Sequence, residues 1–496
     1  MIEIRKGWLM GALQLDEDFV DSQAPNANAT SNGRGLVVKG KFVVLHQSDD
    51  ETLLFGECSG SGKSNYVCSC DFIRPNQPTY RCTCPSRQFP CKHCLGLMYA
   101  FVGGKKFTVA DVPEDLAAKR EKLQERKEKQ KEQSDKPRKV NKAALSKKLQ
   151  AQLNGLDLLE TFTFDLVRSG MGNTNAKTAR DMQQRAKQLG DAYLPGAQAA
   201  LHQYTNLFVG ADGKYDGELS SQQRETIYTE ALDQLTRLSA IIKHGRRYLQ
   251  ARVDDPELPP ETDSPIAAWL GHAWQLRDLR AAGLVIENAE LIQLAFHSHD
   301  DHSRQEYIDT GIWMNLANGA IQLTQNFRPY KAAKYIRSED SFFKIAVVKE
   351  LCVYPGTVNP RVRWDEFETR EITAKDFQSV AKFASADFES AMKSVRSGLK
   401  NPLSEKRPVV ALRYKSLGQL PDGELAIEDA KGTRIVMTEA GLSEEPPSCH
   451  LMPMLPETLA SGQTMVGRIH QDLDSKTLRL KPLSIITDTQ VFRLTL

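Results

Sequence analysis

Between Tyr80 and Phe101 the chain reads YRCTCPSRQFPCKHCLGLMYAF. Four side chains in it have metal-ligand chemistry: Cys82 and Cys84 form a CxC pair, and after six intervening residues Cys91 and His93 form a CxH pair. On an extended strand, residues i and i+2 point to the same face, so Cys82 and Cys84 can reach one ion. Cys91 and His93 cannot share a face within a regular helix, because two residues turn by about 200°. They are therefore expected at the entrance to a helix from His93 to about Val102. There the positive end of the helix and Lys92 favour thiolate over thiol at Cys91. Leu95, Leu97, Met98 and Phe101, with Phe89, supply apolar surface to bury that helix against the cysteine hairpin. Three thiolates and one imidazole make the closed tetrahedral set preferred by structural Zn2+. Such a set leaves no open position for a reacting water, which argues against a catalytic metal. Arg81, Arg87 and Lys92 are the cations expected to offset the excess negative charge of three thiolates.

Two nearby features compete with this assignment. Cys91-x-x-Cys94 is also a common ligand spacing, so Cys94 could displace His93; a packed helix thiol is the simpler expectation for Cys94. Cys68 and Cys70 form a second CxC. It reads either as two neighbours on one strand face, which is preferred, or as a second metal or redox site with Cys58 or Cys94.

The CxC-x6-CxH arrangement resembles the SWIM zinc finger. The adjoining FGECSGSGK of residues 55–63, followed by CTCPSRQFPCKHCLGLMYAF, looks like bacterial SWIM proteins in particular. The resemblance covers about residues 55–102. It implies zinc held by Cys82, Cys84, Cys91 and His93, and a role in binding DNA or protein. It also implies that bacterial members often accompany MoxR-type AAA ATPases and von Willebrand A-domain proteins.

The rest of the chain sets the surroundings. Of nine cysteines in 496 residues, seven lie between Cys58 and Cys94. A disulfide-stapled secreted chain would spread them more evenly, so clustering beside a histidine favours metal in a reducing compartment. The N-terminus has no basic segment leading into a long apolar run, and no apolar run is long enough to span a bilayer; a cytoplasmic protein with no membrane partner is expected. The net charge is +2, so nucleic-acid binding would need a local basic patch rather than a global field.

The expected fold class is α+β, in four parts. Residues 1–113 are read as a β-rich N-terminal unit containing the finger at about 66–102. Its strands are expected at 36–45, 52–57 and 66–72, after an Asn/Ser/Gly/Ala tract at 21–35 read as a flexible loop. Residues 114–142 are read as a charged helical linker, broken near Asp135-Lys136-Pro137; residues 114–148 carry 13 Lys/Arg against 7 Asp/Glu. Residues 143–304 are read as a helical domain, including a helical pattern over 264–296. Residues 305–496 are read as a mixed, β-rich domain, a compact barrel or sandwich with one helix at about 374–398.

Other motifs are weaker. Gly60-Ser61-Gly62-Lys63-Ser64 lacks the upstream glycine and following helix of a phosphate loop. The run His297-Ser298-His299-Asp300-Asp301-His302 reads as a polar loop ending a helix rather than as a second metal site. No serine-hydrolase elbow appears. The expected function is therefore a zinc-binding, non-enzymatic adaptor that docks protein partners. The alternative is a DNA-binding protein that uses the finger and the adjacent basic helix.

Overall fold

The computed structural model describes residues 15–60, 64–73, 78–86, 89–122, 142–210, 215, 217, 220–301, 305–333, 338–356, 358–439, 445–473 and 475–495. The chain is α+β and divides into two compact units, Met1–Lys136 and Pro137–Leu496.

The first unit begins with two helices, α1 (Glu17–Gln23) and α2 (Ala27–Val38). This corrects the flexible-loop reading of 21–35 and the strand reading of Leu36–Val38. Asp16 and Asn26 cap the two helices by accepting from the Phe19 and Ala29 amides. A five-stranded sheet follows in the order β4-β3-β2-β1-β5, from β1 (Phe42–Gln47), β2 (Leu53–Cys58), β3 (Tyr66–Asp71), β4 (Thr79–Cys82) and β5 (Thr108–Val109). Helix α3 (Lys92–Val102) enters between β4 and β5 in sequence and packs on the sheet. Its Leu95, Leu97 and Met98 are fully buried with Cys68, Cys70 and Phe72.

Helix α2 lies across α3 at a point where neither chain segment has room for a further side chain. A Cβ on Gly33 would sit 3.0 Å from Leu95 Cβ, and one on Gly96 would sit 3.0 Å from the Phe42 ring and 3.1 Å from the Gly33 carbonyl. The polar, glycine-containing tract is helical because that close approach needs its small residues.

A further helix, α4, is described over residues 114–122. Its Leu116 is buried with Leu53 and Phe55. Its Arg120 reaches Asp71 at 3.3 Å and also bonds Thr52. The start of the basic run is therefore anchored through Leu116 and Arg120, while the other residues of 114–122 are exposed. The expected break near Asp135-Lys136-Pro137 lies outside the described residues.

The second unit opens with helices α5 (Lys142–Ser169), α6 (Ala176–Asp191), α7 (Pro195–Asn206) and α8 (Ser221–Asp254) around one apolar core that includes Leu156, Leu159, Met182, Leu201 and Ile241. Short helices α9 (Ile266–Trp269) and α10 (Leu276–Ala281) end the helical part. The helical reading of 264–296 is corrected from Val285 onward. That stretch is a long strand, β6 (Val285–Asp301), paired on one side with β7 (Glu306–Asn315) and on the other with β9 (Ile345–Val353). Its Glu-, Ala- and Leu-rich wording is helix-friendly, but pairing on both edges overrides local propensity. Strands β8 (Ile321–Pro329), β10 (Val362–Arg363) and β11 (Phe367–Arg370) complete a six-stranded sheet.

The helix expected at 374–398 is two, α11 (Ala374–Phe383) and α12 (Phe388–Leu399). The break falls where Ser385 donates its amide to the Ala411 carbonyl and accepts from the Arg413 amide, both at 2.9 Å. The remaining strands form two more sheets. One joins β12 (Val409–Arg413), β16 (Thr464–Asp472), β17 (Thr477–Ile486) and β18 (Val491–Arg493); the other joins β13 (Ser416–Gln419), β14 (Leu425–Glu428) and β15 (Arg434–Val436). Ile292, Ile312, Val409, Val466 and Phe377 share one core between the six- and four-stranded sheets and α11. No helix among the described residues is long and apolar enough to cross a membrane.

Candidate metal centre

The β3–β4 hairpin brings Cys82 opposite Cys68, and Thr83 extends the pairing by bonding Val67 through both its amide and its hydroxyl. Cys82 closes β4 and Cys84 sits in the bend beyond it. Cys91 is the N-cap of α3, with extended backbone and a side chain that caps no amide. His93 lies in the first turn. A cap position thus frees Cys91 from the helical angular spacing, and this lets Cys91 and His93 meet on one side.

The four ligand atoms of Cys82, Cys84, Cys91 and His93 all lie within 4.8 Å of one another, and no other such group of three or more occurs among the described residues. His93 Nδ1 is 3.7 Å from Cys82 Sγ and 3.8 Å from Cys91 Sγ. Bond lengths of about 2.3 Å to sulfur and 2.0–2.1 Å to nitrogen give a tetrahedral S···N edge of about 3.6 Å. The donors therefore already stand near the spacing a tetrahedral ion requires. Cys91 and His93 are buried, and Cys82 and Cys84 are half-buried. Tyr66, which spacing did not single out, packs against the His93 ring with centroids 4.8 Å apart and planes tilted by 41°.

The electrostatics are those of crowded thiols. Hydrogen bonding from the Cys82 and Cys94 thiols holds Cys91 far below the ordinary thiol range. The same bond to Cys91 pushes Cys82 far above it. Burial pushes Cys84 up. A cluster that stabilises one thiolate but resists three is one that a dication would complete, since a coordinating thiol is deprotonated outright. Of the cations expected to offset the charge, Arg81 is engaged by buried Asp71 at 3.5 Å, and Arg87 lies outside the described residues.

Cys94 is fully buried beneath the centre. Its Sγ lies 3.8 Å from Cys91 Sγ and 3.4 Å from the Arg81 carbonyl oxygen. The second CxC is likewise occupied with carbonyls: Cys68 Sγ is 3.6 Å from the Gly56 oxygen and Cys70 Sγ is 3.4 Å from the Cys94 oxygen. Burial raises both thiols above their ordinary range.

The remaining motifs are placed as follows. Residues 61–63 of the glycine-rich turn lie outside the described residues, and β3 begins soon after at Tyr66. The histidine run is not a loop ending a helix: His297 to Asp301 end strand β6, and His302 lies outside the described residues. His297 is buried with its Nδ1 3.9 Å from a Glu445 carboxylate oxygen, and burial pushes it down to about 4.

No family model matches the chain, and no curated protein matches it either. A solved murine DNA-binding protein with bound ds DNA is similar at 11% identity over 42% of this chain and 98% of that chain, with a TM-score of 0.21. A likeness at that level carries no argument about fold or function.

Proposed function

We propose that Cys82, Cys84, Cys91 and His93 hold a structural Zn2+ that ties the β3–β4 hairpin to the start of α3, and that the protein is a non-enzymatic adaptor. The observation that carries the metal reading is the convergence of the four ligand atoms within 4.8 Å. When bound, the metal supplies a cross-link and a fixed charge, and four protein ligands leave it no vacant position for a substrate. The residues around it hold and orient. Tyr66 braces the imidazole, the α3 N-terminus favours the Cys91 thiolate, and the buried Leu95, Leu97 and Met98 fix the helix.

The finger is then a rigid docking module for a protein partner. The resemblance to bacterial SWIM proteins nominates a MoxR-type AAA ATPase or a von Willebrand A-domain protein as that partner. Two measurements test the proposal. Zinc per chain by elemental analysis should be one for the native protein, and a value near zero refutes the metal. Pull-down from lysate, with and without nuclease, should return the same proteins; loss of all partners with nuclease would replace the adaptor by a nucleic-acid binder using the same finger.

A further inference from the structure

Cys91 belongs to two arrangements at once. It is a member of the four-residue donor group, and it is also the first residue of Cys91-Lys92-His93-Cys94, a C-x-x-C at the N-terminus of α3. Cys91 Sγ and Cys94 Sγ are 3.8 Å apart and both residues are buried. C-x-x-C at a helix N-terminus is a spacing that brings two sulfurs within reach of disulfide exchange. A disulfide needs its sulfurs at about 2.05 Å, and these stand in contact at 3.8 Å. Cys94 Sγ also lies 3.4 Å from the Arg81 carbonyl oxygen. A free thiol thus waits beside a ligand thiolate.

We propose that Cys91 and Cys94 are a peroxide-oxidisable pair, and that forming their disulfide dismantles the metal centre. This rests on the zinc reading above. The Cys91 thiolate attacks one oxygen of hydrogen peroxide, so that an S–O bond forms as O–O breaks. The products are the Cys91 sulfenic acid and hydroxide. The Cys94 sulfur then attacks the Cys91 sulfur, so that S–S forms as S–O breaks, and the departing oxygen leaves as water with the Cys94 proton. Two sulfurs lose two electrons in all, and one peroxide becomes one water and one hydroxide. The disulfide withdraws Cys91 from the donor set, only Cys82, Cys84 and His93 remain, and the metal is lost. A dithiol reductant with added zinc reverses the change.

The full-length, reduced, zinc-loaded protein is treated with hydrogen peroxide, and released zinc is followed with a chromogenic chelator while the disulfides are mapped after alkylation and trypsin. Trypsin separates the three relevant peptides, because Cys82 and Cys84 share one, Cys91 ends in Lys92, and His93 begins the peptide with Cys94. The expected result is a link between the Cys91 and Cys94 peptides that appears in step with zinc release. C94S should keep its zinc when untreated, lack that link and release zinc more slowly; its hydroxyl can still donate to the Arg81 carbonyl. C94A serves as the second variant if C94S folds poorly. A disulfide within the Cys82–Cys84 peptide, or zinc release equally fast in the Cys94 variants, overturns the proposal while leaving the metal reading intact. A native chain that carries no zinc before treatment overturns both.

Discussion

Stripping the proposed zinc is the perturbation with the largest calculable effect. Structural zinc contributes about 10–16 kcal/mol to the folding of a small finger at neutral pH. Against that stands the burial that would hold α3 to its sheet alone. Leu95, Leu97 and Met98 are each fully buried; at roughly 1.5–3 kcal/mol apiece they supply about 5–9 kcal/mol before any entropy is charged. Net stabilities of whole domains are only about 5–15 kcal/mol, so losing the metal should exceed what local packing can make good. Chelation should therefore expose the amides of about residues 66–102, β3, β4 and α3, to solvent. The helical core around Leu156 and Ile241 has its own apolar cluster and should keep its protection. Hydrogen exchange followed by mass spectrometry, with and without a strong chelator, reads both regions in one experiment. Unchanged protection over 66–102, or equal loss throughout the second unit, would refute the reasoning.

Other predictions follow from single residues. His93→Ala should abolish zinc retention, whereas Cys94→Ala should keep about one zinc per chain because Cys94 stands outside the four-residue donor group; zinc lost only in the Cys94 variant would reverse the ligand assignment. Gly96→Ala should destabilise the first unit by about 1–3 kcal/mol in denaturant titration, since its Cβ would press on Phe42 and on the Gly33 carbonyl. His297 is depressed to about 4 by burial. Its stabilising contribution is fully present above the unfolded value near 6.5 and is lost as pH falls through 4, because the unfolded state takes up the proton first. The loss should amount to about 3 kcal/mol across that window, and His297→Phe should flatten this part of the pH–stability curve; an unchanged slope in the variant would show that another group titrates.

The donor set of the metal centre is largely legible in the amino-acid order, for a local reason. Ligand chemistry needs particular atoms, and CxC and CxH spacings constrain where those atoms go within a few residues. The strands at 409–413, 464–472 and 477–486 are legible too, because short apolar stretches between turn signals encode them locally. The elements hidden from the sequence are those whose form depends on remote partners. The tract from Ala27 to Val38 reads as loop and strand, yet its glycine is what lets α2 approach Leu95 and Gly96 of α3. Val285–Asp301 carries helix-forming residues, yet β7 and β9 claim both of its edges. The helix at 374–398 is cut because Ser385 bonds across to β12.

The same division runs through the site. Sequence alone nominated Cys82, Cys84, Cys91 and His93 as a donor set, with Cys94 in competition for the place of His93, since residue type and spacing are one-dimensional facts. Only the tertiary structure decided that Tyr66 packs at a tilt against His93, that Arg81 pairs with Asp71, and that Cys94 stands 3.8 Å from Cys91 and 3.4 Å from the Arg81 carbonyl. Those are contacts between a strand, a hairpin and a helix, and burial on both sides of α3 selects them by packing rather than by proximity along the chain.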